Sequence, residues 1–197
     1  MNPQTNTWTT RSTDCSCTRY IYGATALIDP ARNLLVAVGE GNTVIWDLNL
    51  PSPPPQIVSS SGDTSIQGAY APGFDYDILN QELVAWNGGS QVYTFNPTTS
   101  VWTMINAASG NLVTPTSPQP DGTYGRFRYS PNKNVFVLAN SIFDDVYIYR
   151  LLSTVSADTA PPFLSNGAPS GVLAGSRSYT TNFDGTENPL SEGGEWS

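Results

Sequence analysis

Residues 29–48, "DPARNLLVAVGEGNTVIWDL", lie without a gap on residues 77–96, "DILNQELVAWNGGSQVYTFN". At this shift of 48, Asp29, Leu35, Val36, Ala37, Gly41 and Val44 fall on Asp77, Leu83, Val84, Ala85, Gly89 and Val92. A third copy, "SPNKNVFVLANSIFDDVYIYRL" at 130–151, sets Pro131 on Pro30, Asn134 on Asn33, Val137 on Val36 and, after one inserted residue, Val146 on Val44. A period of about fifty residues restricts the chain to equivalent units that stack and bury one another's faces.

The second copy reads as four short strands, "GFDYDI", "ELVAWN", "QVYTFN" and "SVWTMI", divided by "LNQ", "GGS" and "PTT", where turn residues reverse the chain. The first copy runs "YGATALID", "LLVAVG", "TVIWDL", a Pro-rich detour "NLPSPPP" and a fourth strand near "QIVSS". The third has "YGRFRYS", "VFVLAN" and "VYIYRLL" and then stops. In copies one and three the second strand ("LLVAV", "VFVLA") is apolar on both faces, as a strand must be when its sheet lies between two others. Composition agrees. Only 8 of 197 residues are Lys or Arg, while Gly, Pro and aromatic residues abound, the palette of strands and turns. The expected fold is all-β.

In its residues the chain resembles the kelch-type β-propellers. Such a blade typically carries a double glycine after its second strand, a "V-x-x-Y-D/N-P" third strand and a Trp in its fourth. Copy two has Gly88 and Gly89, then Val92, Tyr93, Asn96 and Pro97, then Trp102. Copy one keeps a spaced pair, Gly39 and Gly41, without the Trp; copy three has Asn140 and Ser141 in the glycine places. The resemblance implies a partial propeller of four-stranded antiparallel blades over residues 1–152, with blades at about 20–60, 70–105 and 123–152. It assigns structural roles to Gly88, Gly89 and Trp102: turn geometry for the glycines, packing between blades for the indole.

Residues 2–10, "NPQTNTWTT", echo the "NPTTSVWTM" of the second copy, with Trp8 in the place of Trp102. They read as the fourth strand of a blade whose other three strands are absent at that end. The third copy is complementary, because it ends at its third strand. Propellers typically close with four to eight blades, so either the chain is the C-terminal part of a longer propeller, the preferred reading, or two copies assemble into a six-bladed ring. Its partners in closure are accordingly the missing blades or a homodimer mate.

Beyond residue 152 the composition turns to Pro, Gly, Ser, Thr and Ala, giving an irregular tail. Residues 153–181 ("DTAPP", "SNGAPSG") resemble the start of fibronectin or Ig-like repeats of exported bacterial proteins. Residues 182–197 resemble the opening of a laminin-G or concanavalin-like jelly roll with Trp196 beginning a strand, or else a disordered tail. Resemblance thus implies an extracellular or cell-surface protein. No spanning segment or signal peptide is visible in these residues.

A formal charge of -8 without a basic block argues against nucleic acid and membrane as partners. Cys15 and Cys17, one residue apart, are read as loop thiols or a surface redox pair and given no chemistry. The chain has no histidine, hence no imidazole base, no Ser-His-Asp triad and no histidine copper site of the galactose oxidase kind, and it lacks the Asp-box of sialidases. Asp75 with Asp77 and Asp144 with Asp145 are the nearby carboxylate pairs; strand surface and turn capping account for them, and calcium at the second pair has no support. No catalytic residue, metal or cofactor is expected.

Loops on a rigid scaffold are where binding concentrates. Those joining a fourth strand to the next first strand, and second strands to third, should emerge at one end. They are "RSTDCSCTRY", "SSSGDTSIQGAYAPG" and "NAASGNLVTPTSPQPDGTY". These loops and the strand that follows carry Arg19, Tyr20, Tyr70, Asp121, Tyr124, Arg126 and Arg128, aromatic faces with hydrogen-bonding groups that suit a sugar. The expected function is a non-catalytic segment of a secreted multidomain protein that binds carbohydrate or protein. The alternatives are part of a polysaccharide lyase or oxidase whose catalytic residues lie in missing blades, and a structural spacer.

Overall fold

The computed structural model describes residues 7–10 and 22–152. The chain divides into two units, Met1–Ser156 and Ala157–Ser197, and every described residue belongs to the first. The tail modules, Tyr20, Arg19, Cys15 and Cys17 lie outside the described residues. The described part is all-β, as its strand and turn pattern predicts, built of three open sheets taken in chain order.

Sheet one is an antiparallel meander of β1 (Thr25–Asp29), β2 (Leu34–Gly39), β3 (Asn42–Asp47) and the two-residue β4 (Gln56–Ile57). After β5 (Ser61–Gly62), sheet two continues with β6 (Gly73–Asp77), β7 (Glu82–Trp86), β8 (Val92–Asn96) and β9 (Val101–Ile105). Sheet three has β10 (Phe127–Ser130), β11 (Val135–Leu138) and β12 (Tyr147–Tyr149). Short 3-10 turns at Thr64–Gly68 and Tyr124–Arg126 precede β6 and β10.

Two details differ from the repeat as aligned by identity. The β1–β2 registers agree with the shift of 48, since Asp29 pairs with Leu34 and Asp77 with Glu82. In the next hairpin, Leu35 faces Trp46 whereas Leu83 faces Phe95, so the third strands correspond at one residue more. The extra residue sits in the turn after β7. Because strand side chains alternate, that single residue puts Tyr93, not Val92, in the place of Val44. The same logic puts Tyr147 there in sheet three, where Phe136 faces Tyr149. The second difference is β5, which crosses from sheet one to run parallel to β9 at the edge of sheet two. The Asp63 carboxylate holds this crossing by accepting the Met104 N–H, while the Asp63 N–H donates to Trp102 O.

The hairpin between first and second strands is the same in all three sheets. Asn33, Gln81 and Asn134 occupy equivalent positions in the left-handed region, with φ of 55°, 54° and 50°. Asp29 and Asp77 are fully buried and brace it from inside. Asp29 Oδ1 accepts the N–H groups of Ala31 and Arg32, and Asp77 Oδ1 those of Leu79 and Asn80. Asp77 directly opposes Glu82 across the strands, and like charges in that position repel. Burial first, then the Asp77 charge, holds the Glu82 carboxyl above its ordinary value, with the Arg32 guanidinium pulling the other way. A raised carboxyl value means the folded state prefers the protonated form, so stability is lost as pH rises through that window. Glu82→Gln should therefore stabilise the protein at pH 7, by roughly 0.5 kcal/mol. In urea titrations that gain should vanish at pH values below the ordinary glutamate range.

Sheet two lies between the other two. Each sheet has a leading face, turned towards the next sheet in sequence, and a trailing face. Leu27, Val36, Val38 and Ile45 of the leading face of sheet one form one core with Phe74, Tyr76, Leu83, Phe95 and Trp102 of sheet two. Val84, Trp86 and Val92 of sheet two form a second core with Phe127, Phe136 and Leu138 of sheet three. Burial of each such side chain contributes about 1.5–3 kcal/mol. Trp102 is the largest fully buried side chain. Its ring stacks on Phe95 at 4.7 Å between centroids and lies 6.2 Å from Phe74, and its Nε1–H donates to Thr43 Oγ1 at 3.0 Å. Trp86 Nε1–H donates to Gly89 O, closing the turn that Gly88 (φ 96°) and Gly89 (φ 72°) make possible.

Candidate binding face

Backbone hydrogen bonds join equivalent loop residues of the three units. The Ala71 N–H donates to Gly23 O, and the N–H groups of Thr123 and Tyr124 donate to Ala71 O at 2.7 and 3.0 Å. The β2–β3 turn reaches the same end, since the Glu40 N–H donates to Ala69 O at 3.2 Å. Fourth-to-first and second-to-third connections of sheet one therefore meet there, directly before β1, β6 and β10.

This junction gathers three tyrosines. Tyr22 and Tyr70 occupy the same place in units one and two, and Tyr124 follows Thr123 in the third. Tyr70 is 49% and Tyr124 37% exposed. The Tyr124 hydroxyl donates to Tyr22 O at 3.3 Å. A hydrogen bond with Tyr70, then partial desolvation, then the nearby charges of Asp121 and Glu40 hold the Tyr124 phenol above its ordinary value, so it stays a neutral donor through the physiological range. Tyr70 lies over the backbone of Gly23, where a Cβ would collide with its ring and with the Glu40 carboxylate. Glu40, Ala71 and Tyr124 all have positive φ, 55°, 43° and 47°, so three residues with side chains bear left-handed backbone strain at one place.

Tyr70, Asp121 and Tyr124, named from the sequence, thus come together. Arg126 bonds within its own loop: its guanidinium donates to Gly122 O beside Asp121, and its Nε is buried without a hydrogen-bond partner. Arg128 extends along β10 to Asp75, 3.6 Å away, with its guanidinium beside Gly125. The other Asp75 oxygen accepts the Tyr129 N–H, tying β6 to β10. Asp144 accepts from Thr116 Oγ1 in the turn before β12. Trp8 is 97% exposed. Sequence reasoning missed Tyr22 and Glu40. The first is visible as the residue 48 before Tyr70, whereas nothing in the sequence marks a lone glutamate in a turn.

Chemically the patch offers aromatic faces, phenol hydroxyls and two carboxylates. Among the described residues no cluster of three or more His, Cys, Asp or Glu could hold a metal ion. Comparison with known proteins finds no matching family model, no matching curated protein and no matching solved structure.

Proposed function

We propose that the chain is a non-catalytic binding segment of a secreted multidomain protein, three consecutive blades of a kelch-type propeller that present their loop end to carbohydrate. The observation that carries the reading is the convergence of Tyr22, Tyr70 and Tyr124 with Glu40 and Asp121 on one hydrogen-bonded junction of equivalent loops. Tyrosine rings pack against the C–H faces of a sugar while phenols and carboxylates take its hydroxyls. The two carboxylates favour a neutral glycan over an anionic one. Three stacked sheets joined in order, with their first strands side by side, support the propeller part of the reading.

The test is a glycan array probed with the whole chain, followed by titration calorimetry on any hit. Neutral glycans should bind, and Tyr70→Ala and Tyr124→Ala should each weaken binding about tenfold or more. Folded protein that binds no glycan, or binding untouched by both substitutions, would overturn the sugar assignment.

A further inference from the structure

The three neighbours of Trp102 have counterparts one sheet further on. In the corrected register Phe74 corresponds to Phe127, Phe95 to Tyr149 and Thr43 to Val92. All three counterparts line a single cavity of about 350 Å³ between sheets two and three. Its walls are mostly apolar, with Trp86, Ile105 and Leu138 among them. It lies along β12, the last strand of sheet three, which among the described residues pairs with β11 alone. The cavity is therefore the place that an indole on a fourth strand of sheet three would fill, as Trp102 fills it in sheet two.

The chain carries one other segment of that kind. "NPQTNTWTT" at 2–10 repeats "NPTTSVWTM", with Trp8 in register with Trp102, and Trp8 is almost wholly exposed. We propose that the 2–10 segment of a second copy of this chain adds to β12 as the fourth strand of sheet three, with the Trp8 indole seated in the cavity. Strand addition supplies the backbone hydrogen bonds and the indole supplies the anchor.

Two observations place the segment in a second copy. Trp8 precedes Thr25 by 17 residues, close to the 18 separating its counterpart Pro55 from Gly73. A strand so connected belongs to the sheet that packs on the trailing face of sheet one. That face is apolar and only partly buried: Ala37 and Val44 at its centre are buried, while Ile28 is 56% exposed and Leu35 and Trp46 are half-buried. It is the kind of face that sheets two and three each bury. At the other end, the leading face of sheet three leaves Ile148 exposed and Val137 half-buried. Two copies related by a two-fold axis cover the exposed apolar side chains of all four faces and exchange both Trp8 segments.

The inference rests on the repeated sheets of the reading above and not on its ligand, so glycan binding by a monomer would leave that reading standing and sink this one. Sedimentation equilibrium of the 197-residue chain should show a discrete dimer. Trp8→Ala, which touches no core, should weaken it about tenfold or more, and Ile28→Glu should do the same from the opposite face, both with unchanged far-UV circular dichroism. A monomer at about 100 µM, a dimer indifferent to Trp8→Ala, or heterogeneous association would each overturn the proposal. So would a monomer whose Trp8 fluorescence is shielded from iodide, because the segment would then dock on its own chain.

Discussion

Trp102→Ala should cost about 4 kcal/mol, the middle of the range for removing a buried aromatic side chain. The side chain is sealed between two sheets, so its loss leaves a hole that neither sheet can close without moving against the other. Phe95 loses a stacked partner, and Thr43 Oγ1 loses the donor that reaches it from sheet two. Trp102→Phe separates these contributions. A phenyl ring keeps the stack on Phe95 and most of the apolar contact, so the cost should fall to about 2 kcal/mol, part of it the bond that Thr43 Oγ1 no longer accepts while it still donates to Gln67 Oε1. Urea unfolding followed by far-UV circular dichroism measures both. A Trp102→Ala cost below about 1.5 kcal/mol would mean that the interface between sheets one and two is loosely packed.

The repeat was legible because its strongest signals are physical. The runs Leu35–Ala37 and Leu83–Ala85 fill the centre of each sheet, and Asp29 and Asp77 recur because one buried carboxylate braces one turn. The register of the third strands was not legible. Residue identity at Gly41 and Gly89 aligned the two turns without a gap, yet the turn after β7 is longer, and only backbone pairing reveals which side chains share a face. The crossing of β5 left no trace either, since Ser61 and Gly62 carry no apolar signal and are held by bonds from Ser61 N–H and Asp63 N–H to the neighbouring strand. At the loop end, Tyr70 and Tyr124 stood out as aromatic residues in long loops. Arg126 stood out equally, but its guanidinium is spent on Gly122 O within its own loop, a local contact that residue type cannot announce. The cavity beneath Trp86 was legible only in combination, from a sequence echo at Trp8 and a structural correspondence of Phe127, Tyr149 and Val92.

Asp29→Ala should cost about 3 kcal/mol, which makes this carboxylate second only to Trp102 among the single side chains considered. Oδ1 accepts from Ala31 N–H at 3.0 Å and Arg32 N–H at 3.2 Å, and Oδ2 takes the Arg32 guanidinium at 2.7 Å. Hydrogen bonds to a charged group contribute about 1.5–3 kcal/mol each in isolation. Here the sum is discounted, because the turn borders solvent and water can replace the carboxylate at both N–H groups. The guanidinium itself is a third exposed, so its loss of a partner is largely repaid by hydration. Asp29→Asn distinguishes the parts. The amide oxygen still accepts from both backbone groups, so only the pairing with Arg32 is lost and the cost should fall to about 1 kcal/mol. At Asp77, where Asn80 Nδ2 takes the place of the guanidinium at 2.8 Å, the alanine substitution should cost slightly less, because the two backbone bonds carry most of the effect and relief of the repulsion from Glu82 offsets about 0.5 kcal/mol of it. Losses that differ by no more than about 0.5 kcal/mol between the two sites in urea unfolding would establish the turn brace as the repeated element. A cost at Asp29 far above that at Asp77 would move the weight onto the Arg32 ion pair instead.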